Sequence, residues 1–268
     1  MQTQKTVREI VEKLNIIDDT LFQKMAEDIG FCEEVISTIL EQKVIVKKVT
    51  PQNSIKNLQG RSVILDALCV LENGKDCNIE VQKADDDNHV KRVRYNTSCI
   101  TANITDPGSK FEEVPNVIGI YISKFDMFKS GKTVYHIDRV IRETGKIQDN
   151  GLQEIYVNAK IDDGTDVAKL MRIFKEEMLY DFEKFPKVSK RKKQFKESEG
   201  GKQEVCDLVE NYAKQRAEEA AEKAAEKATR VTARKFFENG VSYEVVRASI
   251  ATLSDEELQE IYKEVTEN

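Results

Sequence analysis

An α/β core followed by an all-helical tail is the architecture this sequence predicts, and three observations carry that expectation. As far as about residue 185, segments of helical periodicity alternate with short β-branched runs. Inside that stretch Asn73-Gly74 joins two apolar runs, the strongest short-range signal of a hairpin. Beyond it the chain becomes an Ala/Glu/Lys/Arg-rich run suited to one long helix.

Residues 4 to about 43 read as helical, because Leu21, Met25, Ile29, Val35, Ile36, Ile39 and Leu40 recur mostly at spacings of three and four, with Gly30 as the interruption. Val44–Val49 reads as a short β-branched stretch stopped by Pro51, and Asn53–Gly60 as a loop. Ser62–Leu71 is apolar on both faces, which suits a buried central strand. The turn Glu72–Asp76 returns the chain into a second strand, Cys77–Lys83. A helix is expected from about Val90 to Ile104, then a turn at Pro107-Gly108. Strands follow at Val117–Ser123, Thr133–Ile137 and Glu154–Ala159. From Thr165 the pattern is helical again, with Val167, Leu170, Met171 and Phe174 on one face.

The tail begins with Lys187–Lys196, which holds six basic residues and no acidic one. It reads as a linker over 187–203 that either touches nucleic acid or simply stays soluble, with Gly200-Gly201 breaking the chain. The long helix is expected from Glu204 to about Glu238 and stops at Asn239-Gly240. Two short helices follow, the second opened by Ser254 with Glu257 three residues on. The division is thus a core with N-terminal helices over 1–186, the linker, and a helical region over 204–268. Ala213, Ala217, Ala220, Ala224 and Ala228 lie mostly four apart. That spacing fits an exposed helix held by Glu/Lys pairs, or a homo-oligomer formed through the C-terminal helix.

Composition narrows the function. A net charge of -6 excludes a uniformly basic nucleic-acid binder but leaves room for a local basic groove. The five cysteines are scattered and the two histidines, His89 and His136, lie far apart, which argues against structural zinc and for free thiols in a reducing cytosol. No apolar run approaches the roughly 20 residues of a membrane helix, and the N-terminus has no apolar leader, so a cytoplasmic protein with no membrane partner is expected.

The stretch from Ile64 to Tyr95 carries the chemistry. Asp66 lies mid-strand between apolar neighbours, where a carboxylate is costly unless paired or metal-bound. Across the turn Glu80 lies in a second apolar strand, with Gln82 two residues on and so on the same face, while Ile79, Val81 and Lys83 take the other. A hairpin brings Asp66 and Glu80 to one site. Two carboxylates there suit a hard cation such as Mg²⁺ or Mn²⁺, which would bind a phosphate oxygen and activate water. Gln82 would orient that water. Lys91, Arg92 and Arg94 follow directly and are candidate phosphate contacts, against the plainer reading of a solvated helix face.

Asp66, a turn, and then Glu80-Val81-Gln82 resemble the D…(D/E)-x-K active site of the PD-(D/E)XK nucleases, with Gln in the lysine position as in their transposase-like branch, also called recombination-promoting nucleases. NIEVQ (78–82), KRVRY (91–95), KFDMF (124–128), the Gly131–Tyr135 strand, EIYVNAK (154–160) and FKESEGG (195–201) are similar to that branch in order and spacing. The resemblance implies a restriction-endonuclease-like core of mixed β-sheet flanked by helices. It implies a metal-dependent endonuclease acting on DNA, in recombination or on mobile elements, with Mg²⁺ or Mn²⁺ as cofactor. It makes Asp66 and Glu80 metal ligands with the Val81 carbonyl, and puts Gln82 in the water-orienting position. Leu65 stands where the family name has proline. A further acidic ligand from the first helix is implied, for which Asp19, Asp28 and Glu34 are the candidates. The alternative is a nuclease-derived protein that lacks strong catalysis and acts through helical protein–protein contacts.

Overall fold

The computed structural model describes residue 9 and residues 11–56, 61–250 and 252–266. The first helical pattern folds as α1 (Asp19–Ala26) and α2 (Ile29–Ile39). Asp28 sets the break between them: its carboxylate accepts the Phe31 N–H at 2.7 Å as an N-cap. Gly30, the expected interruption, lies inside α2, since a side-chain cap starts a helix more decisively than one glycine ends it. The expected helix over residues 4–8 falls outside the described residues.

Strand β1 (Val46–Ile55) runs straight through Pro51, so the chain is still extended at Asn53–Ile55, where a loop was expected. It is the outermost strand of its sheet, where a missing N–H need not break a ladder bond. β2 (Val63–Leu71) and β3 (Asp76–Gln82) form the foreseen hairpin, with Gly74 at φ +79°. Asn88 caps α3 (His89–Ile104), accepting from the Lys91 N–H at 3.1 Å. β4 (Val117–Ser123), β5 (Val134–Ile137), an exposed two-stranded hairpin β6 (Val140–Ile141) with β7 (Lys146–Ile147), and β8 (Leu152–Asn158) follow. The β6–β7 pair gave no signal in the sequence because two-residue strands are too short to alternate. Thr165 caps α4 (Asp166–Lys175).

The six-stranded sheet has the order β1-β2-β3-β4-β8-β5. β1, β2 and β3 are antiparallel, β3, β4 and β8 are parallel, and β5 returns antiparallel to β8. The parallel step from β3 to β4 needs a crossover, which α3 supplies. α3 lies tight on β4: a Cβ on Gly119 would stand 3.0 Å from Thr97 Cγ2 and 3.5 Å from Val93 Cγ1. Elsewhere in the core Leu21, Phe22, Met25, Phe31 and Phe174 are fully buried, with ring centroids 5.9 Å apart for Phe22–Phe31 and 6.1 Å for Phe31–Phe174. Each such side chain contributes about 1.5–3 kcal/mol by leaving water.

The basic segment expected as a linker is a packed helix, α5 (Pro186–Glu197), opened by a proline at its first turn. Part of its charge is turned inward, while Lys190 and Lys193 stay exposed. Lys192 is fully buried and donates to the carbonyls of Ile173 (2.8 Å), Leu179 (3.2 Å) and Glu176. Lys196 donates to Leu14 (2.9 Å) and Glu12, and Lys187 pairs with Glu33 at 2.6 Å. A run of lysines reads as solvated from composition alone; here orphan carbonyls at helix and loop ends draw it inward. Gly200-Gly201 does not break the chain but opens α6 (Glu199–Glu238). A Cβ on Gly201 would come within 2.2 Å of the Gln194 carbonyl oxygen, so glycine is what lets α6 start against the end of α5.

The chain divides into two compact units, with the boundary between Leu208 and Val209. In the second, α6 ends at Gly240 (φ +77°), and α7 (Tyr243–Ser249) and α8 (Asp255–Thr266) follow. Their core is Ala233, Phe237, Val246, Ile250, Leu253, Leu258 and Ile261. The Ser254/Glu257 capping box forms as expected, with reciprocal bonds of 2.9 and 3.3 Å. No described helix is long and apolar enough to cross a membrane, and all five cysteines are free and buried.

Candidate active site

The hairpin opens at the residues singled out by sequence. β2 and β3 pair from Val70–Asp76 to Ala67–Ile79, and there the ladder stops. Instead of a main-chain partner, the Val81 N–H finds the Asp66 carboxylate, Oδ2 at 3.0 Å. Gln52, which the β1–β2 register would set opposite Asp66, has φ +50° and no pairing with it. Asp66 thus sits where the sheet is locally irregular on both sides, a place where a side chain can take over a ladder position.

Asp66 is 8% and Glu80 2% exposed. Burial raises the Asp66 pKa well above the carboxylate range, and the charges of Glu80 and then Asp19 push it the same way; the Val81 N–H and Arg92 oppose. Burial likewise raises Glu80, opposed by a bond from Asn78 Nδ2 to Oε1 (2.9 Å) and by Arg92. Two buried carboxyls that both resist ionising, chiefly through burial, form the donor chemistry a hard divalent cation relieves. Asp66 and Glu80 therefore fit such an ion, within the negative field of Asp19. Among the described residues no three His, Cys, Asp or Glu side chains converge tightly enough to hold a metal by themselves.

The three candidates of the first helical region separate by their contacts. Asp28 is spent on the α2 cap, and Glu34 accepts the Val188 N–H (2.7 Å) and Lys187 N–H (3.3 Å) at the start of α5. Asp19, on the first turn of α1, is the one whose charge acts on both Asp66 and Glu80.

Gln82 and Lys83 go to opposite sides. Lys83 Nζ pairs with Asp18 at 2.5 Å. Gln82 Oε1 accepts from Arg92 Nη1 at 3.2 Å, and its Nε2 donates to the Ala84 carbonyl (2.8 Å) and Asp86 (3.2 Å). Arg92 Nη2 also reaches Glu80 Oε2 at 3.5 Å. The three basic candidates therefore part company: Arg92 enters the site, while Lys91 and Arg94 stay exposed on α3.

Several residues escaped the sequence reading. Asn78 lies two before Glu80 and so on its face, a signal that alternation offered; its Oδ1 is buried without a partner. Tyr121 is set beside Glu80 by the β3–β4 register and bonds His89 Nδ1 at 2.8 Å, whose Nε2 lies 3.2 Å from Asp85. Nothing in the sequence marked that relay, because it joins residues 36 positions apart in the chain, Asp85 to Tyr121.

A mixed six-stranded sheet clasped by helices, with two buried carboxyls where an antiparallel hairpin parts, is a restriction-endonuclease-like α/β fold. The model of the PD-(D/E)XK nuclease family transposases matches residues 29–235, and the chain belongs to that family. Comparison with curated proteins and with solved structures returned no match.

Proposed function

We propose that this protein is a divalent-metal-dependent endonuclease that hydrolyses phosphodiester bonds in DNA, with Asp66 and Glu80 as metal ligands alongside the Val81 carbonyl. The observation that carries this reading is the burial of two carboxyls, Asp66 and Glu80, at the end of the β2–β3 ladder, both pushed up by burial and by the charge of Asp19. The Val81 N–H, Asn78 and Arg92 offset only part of that cost. Bound Mg²⁺ or Mn²⁺ would supply Lewis-acid polarisation of the phosphate and a more acidic water. The chain's own residues do the rest. Asp66 and Glu80 fix the ion, and Gln82 follows two residues on, on the same strand face as Glu80. The exposed Lys91 and Arg94 hold backbone phosphates next to the site. In the net reaction a water oxygen bonds to phosphorus, the bond from phosphorus to one sugar oxygen breaks, and a water proton ends on that oxygen.

The setting in recombination or mobile-element biology, and a cytoplasmic location, extend the same reading. In the tail, the exposed alanine stripe from Ala213 to Ala228 offers copies of the chain a face for association. The test is plasmid nicking with Mg²⁺ or Mn²⁺ by wild type and Asp66→Ala. Loss of at least about a hundredfold in the variant is expected. Equal nicking by both, or none by wild type, would refute the reading and favour a nuclease-derived interaction protein.

A further inference from the structure

We propose that Arg92 is the catalytic cation of this site, donating to a non-bridging oxygen of the scissile phosphate, and that Gln82 acts through it as a positioning residue. The inference rests on the nuclease reading above. Hydrolysis builds negative charge on the non-bridging oxygens as the water oxygen bonds to phosphorus and the sugar oxygen departs. A preorganised cation placed there lowers the barrier. Gln82 is neutral and cannot supply it.

The hydrogen bonds decide which end of the Gln82 amide faces the site. One end meets the guanidinium of Arg92, which only donates; the other meets the Ala84 carbonyl and the Asp86 carboxylate, which accept. The oxygen must therefore face Arg92 and the nitrogen must face Ala84 and Asp86. In this arrangement both Gln82 donors point at protein acceptors, away from a water or a phosphate, and its oxygen steers Arg92.

Three other basic residues near β3 are placed differently. Lys83 is held by Asp18 on the far face, and Lys91 and Arg94 point outward from α3. Arg92 is the residue whose side chain touches both Glu80 and Gln82, and 36% of it remains open to solvent, the direction from which a phosphate arrives. Its planar fork can keep Gln82 on one nitrogen while another turns to a phosphate oxygen. Its anchorage is firm, because α3 is seated on β4 through the close approach of Val93 and Thr97 to Gly119.

Single-turnover cleavage of duplex DNA at saturating Mn²⁺, with Mn²⁺ affinity by calorimetry on the same proteins, tests this. Arg92→Ala should cut the rate about a hundred- to a thousandfold with DNA affinity changed only a few-fold. Mn²⁺ should bind it as tightly as wild type or tighter, since a cation competing for Glu80 is gone. Gln82→Ala should lose about tenfold or more, and Gln82→Ala/Arg92→Ala should be no slower than Arg92→Ala alone. Gln82→Lys in the Arg92→Ala background should recover at least about tenfold, because it returns a cation from the strand. A merely structural arginine would not be rescued that way. If wild type cleaves and Arg92→Ala stays within about threefold of it, the proposal fails while the nuclease reading stands. Weaker Mn²⁺ binding by Arg92→Ala, without rescue by lysine, would make Arg92 a support for Glu80 and also overturn it. A wild type that binds Mn²⁺ but never cleaves removes both. Arg92→Lys, which keeps the charge and the helix, guards against misfolding and should fall between wild type and Arg92→Ala.

Discussion

Gly119→Ala should damage the site from the far side of a helix. Its Cβ would stand 3.0 Å from Thr97 Cγ2, where apolar carbons rest at about 3.5–4.0 Å. Thr97 cannot simply rotate away, because its hydroxyl donates to the Val93 carbonyl at 3.0 Å inside the helix. α3 must then lift by about half an ångström, and overpacking of this kind costs about 1–3 kcal/mol. Thr97 is five residues beyond Arg92 on the same helix, about 7.5 Å along its axis, so the lift reaches the guanidinium nearly undiminished. The Arg92 bonds of 3.2 Å to Gln82 and 3.5 Å to Glu80 have no slack to absorb it. A misplacement of this size should slow single-turnover cleavage about tenfold at temperatures where the variant is fully folded. Urea unfolding measures the first effect and cleavage of duplex DNA the second. Gly200→Ala is the control, since a Cβ there meets nothing within 4 Å in a helical position, and it should stabilise by up to about 1 kcal/mol. A Gly119→Ala protein as stable and as active as wild type would refute the claim that this close contact holds Arg92 in place.

Two further outcomes follow from the electrostatics. Asp19→Asn should weaken Mn²⁺ binding in calorimetry, whereas Asp28→Asn should leave it unchanged and Asp28→Ala should cost about 0.5–2 kcal/mol of stability through the lost cap; the reverse pattern would misassign the first-helix carboxylate. Asp66 and Glu80 both titrate above their ordinary range in the folded protein, so the native state binds protons more tightly than the unfolded chain. Their contribution is fully present below about pH 4 and is lost as pH rises from there through the raised folded values. Urea midpoints of the metal-free protein between pH 4.5 and 7.5 should show less of this decline in Asp66→Asn than in wild type. An unchanged pH slope would show that the pair is not strained.

Much of the core was legible because its signals are local. Asn73-Gly74 demands a hairpin by its own backbone preferences, and Val117–Ser123 and Thr165 mark a strand and a helix start that the structure reproduces. The carboxylates were visible for the same reason: a charge in an apolar strand contradicts its neighbours whatever the fold. The lysines of α5 were misread because composition reports what a residue prefers in water, and only packing revealed unsatisfied carbonyls for Lys192 and Lys196 to meet. Pro51 was misread because a break and an open sheet edge look alike until the strand order is known.

The sequence by itself determined the chemistry available to this protein: two strand carboxylates across a tight turn, a glutamine where a lysine would be charged, and basic residues directly after. Tertiary structure alone decided how that chemistry is assigned. It took Asp19 toward the carboxyl pair and left Asp28 and Glu34 to cap helices, and it turned Arg92 inward while Lys91 and Arg94 stayed outside. The reason is physical. A residue's type and its strand face follow from the covalent chain and its period of two, but which charges share a low-dielectric site depends on contacts closed across the fold. Here that contact is the seat of α3 on Gly119, which no local pattern encodes.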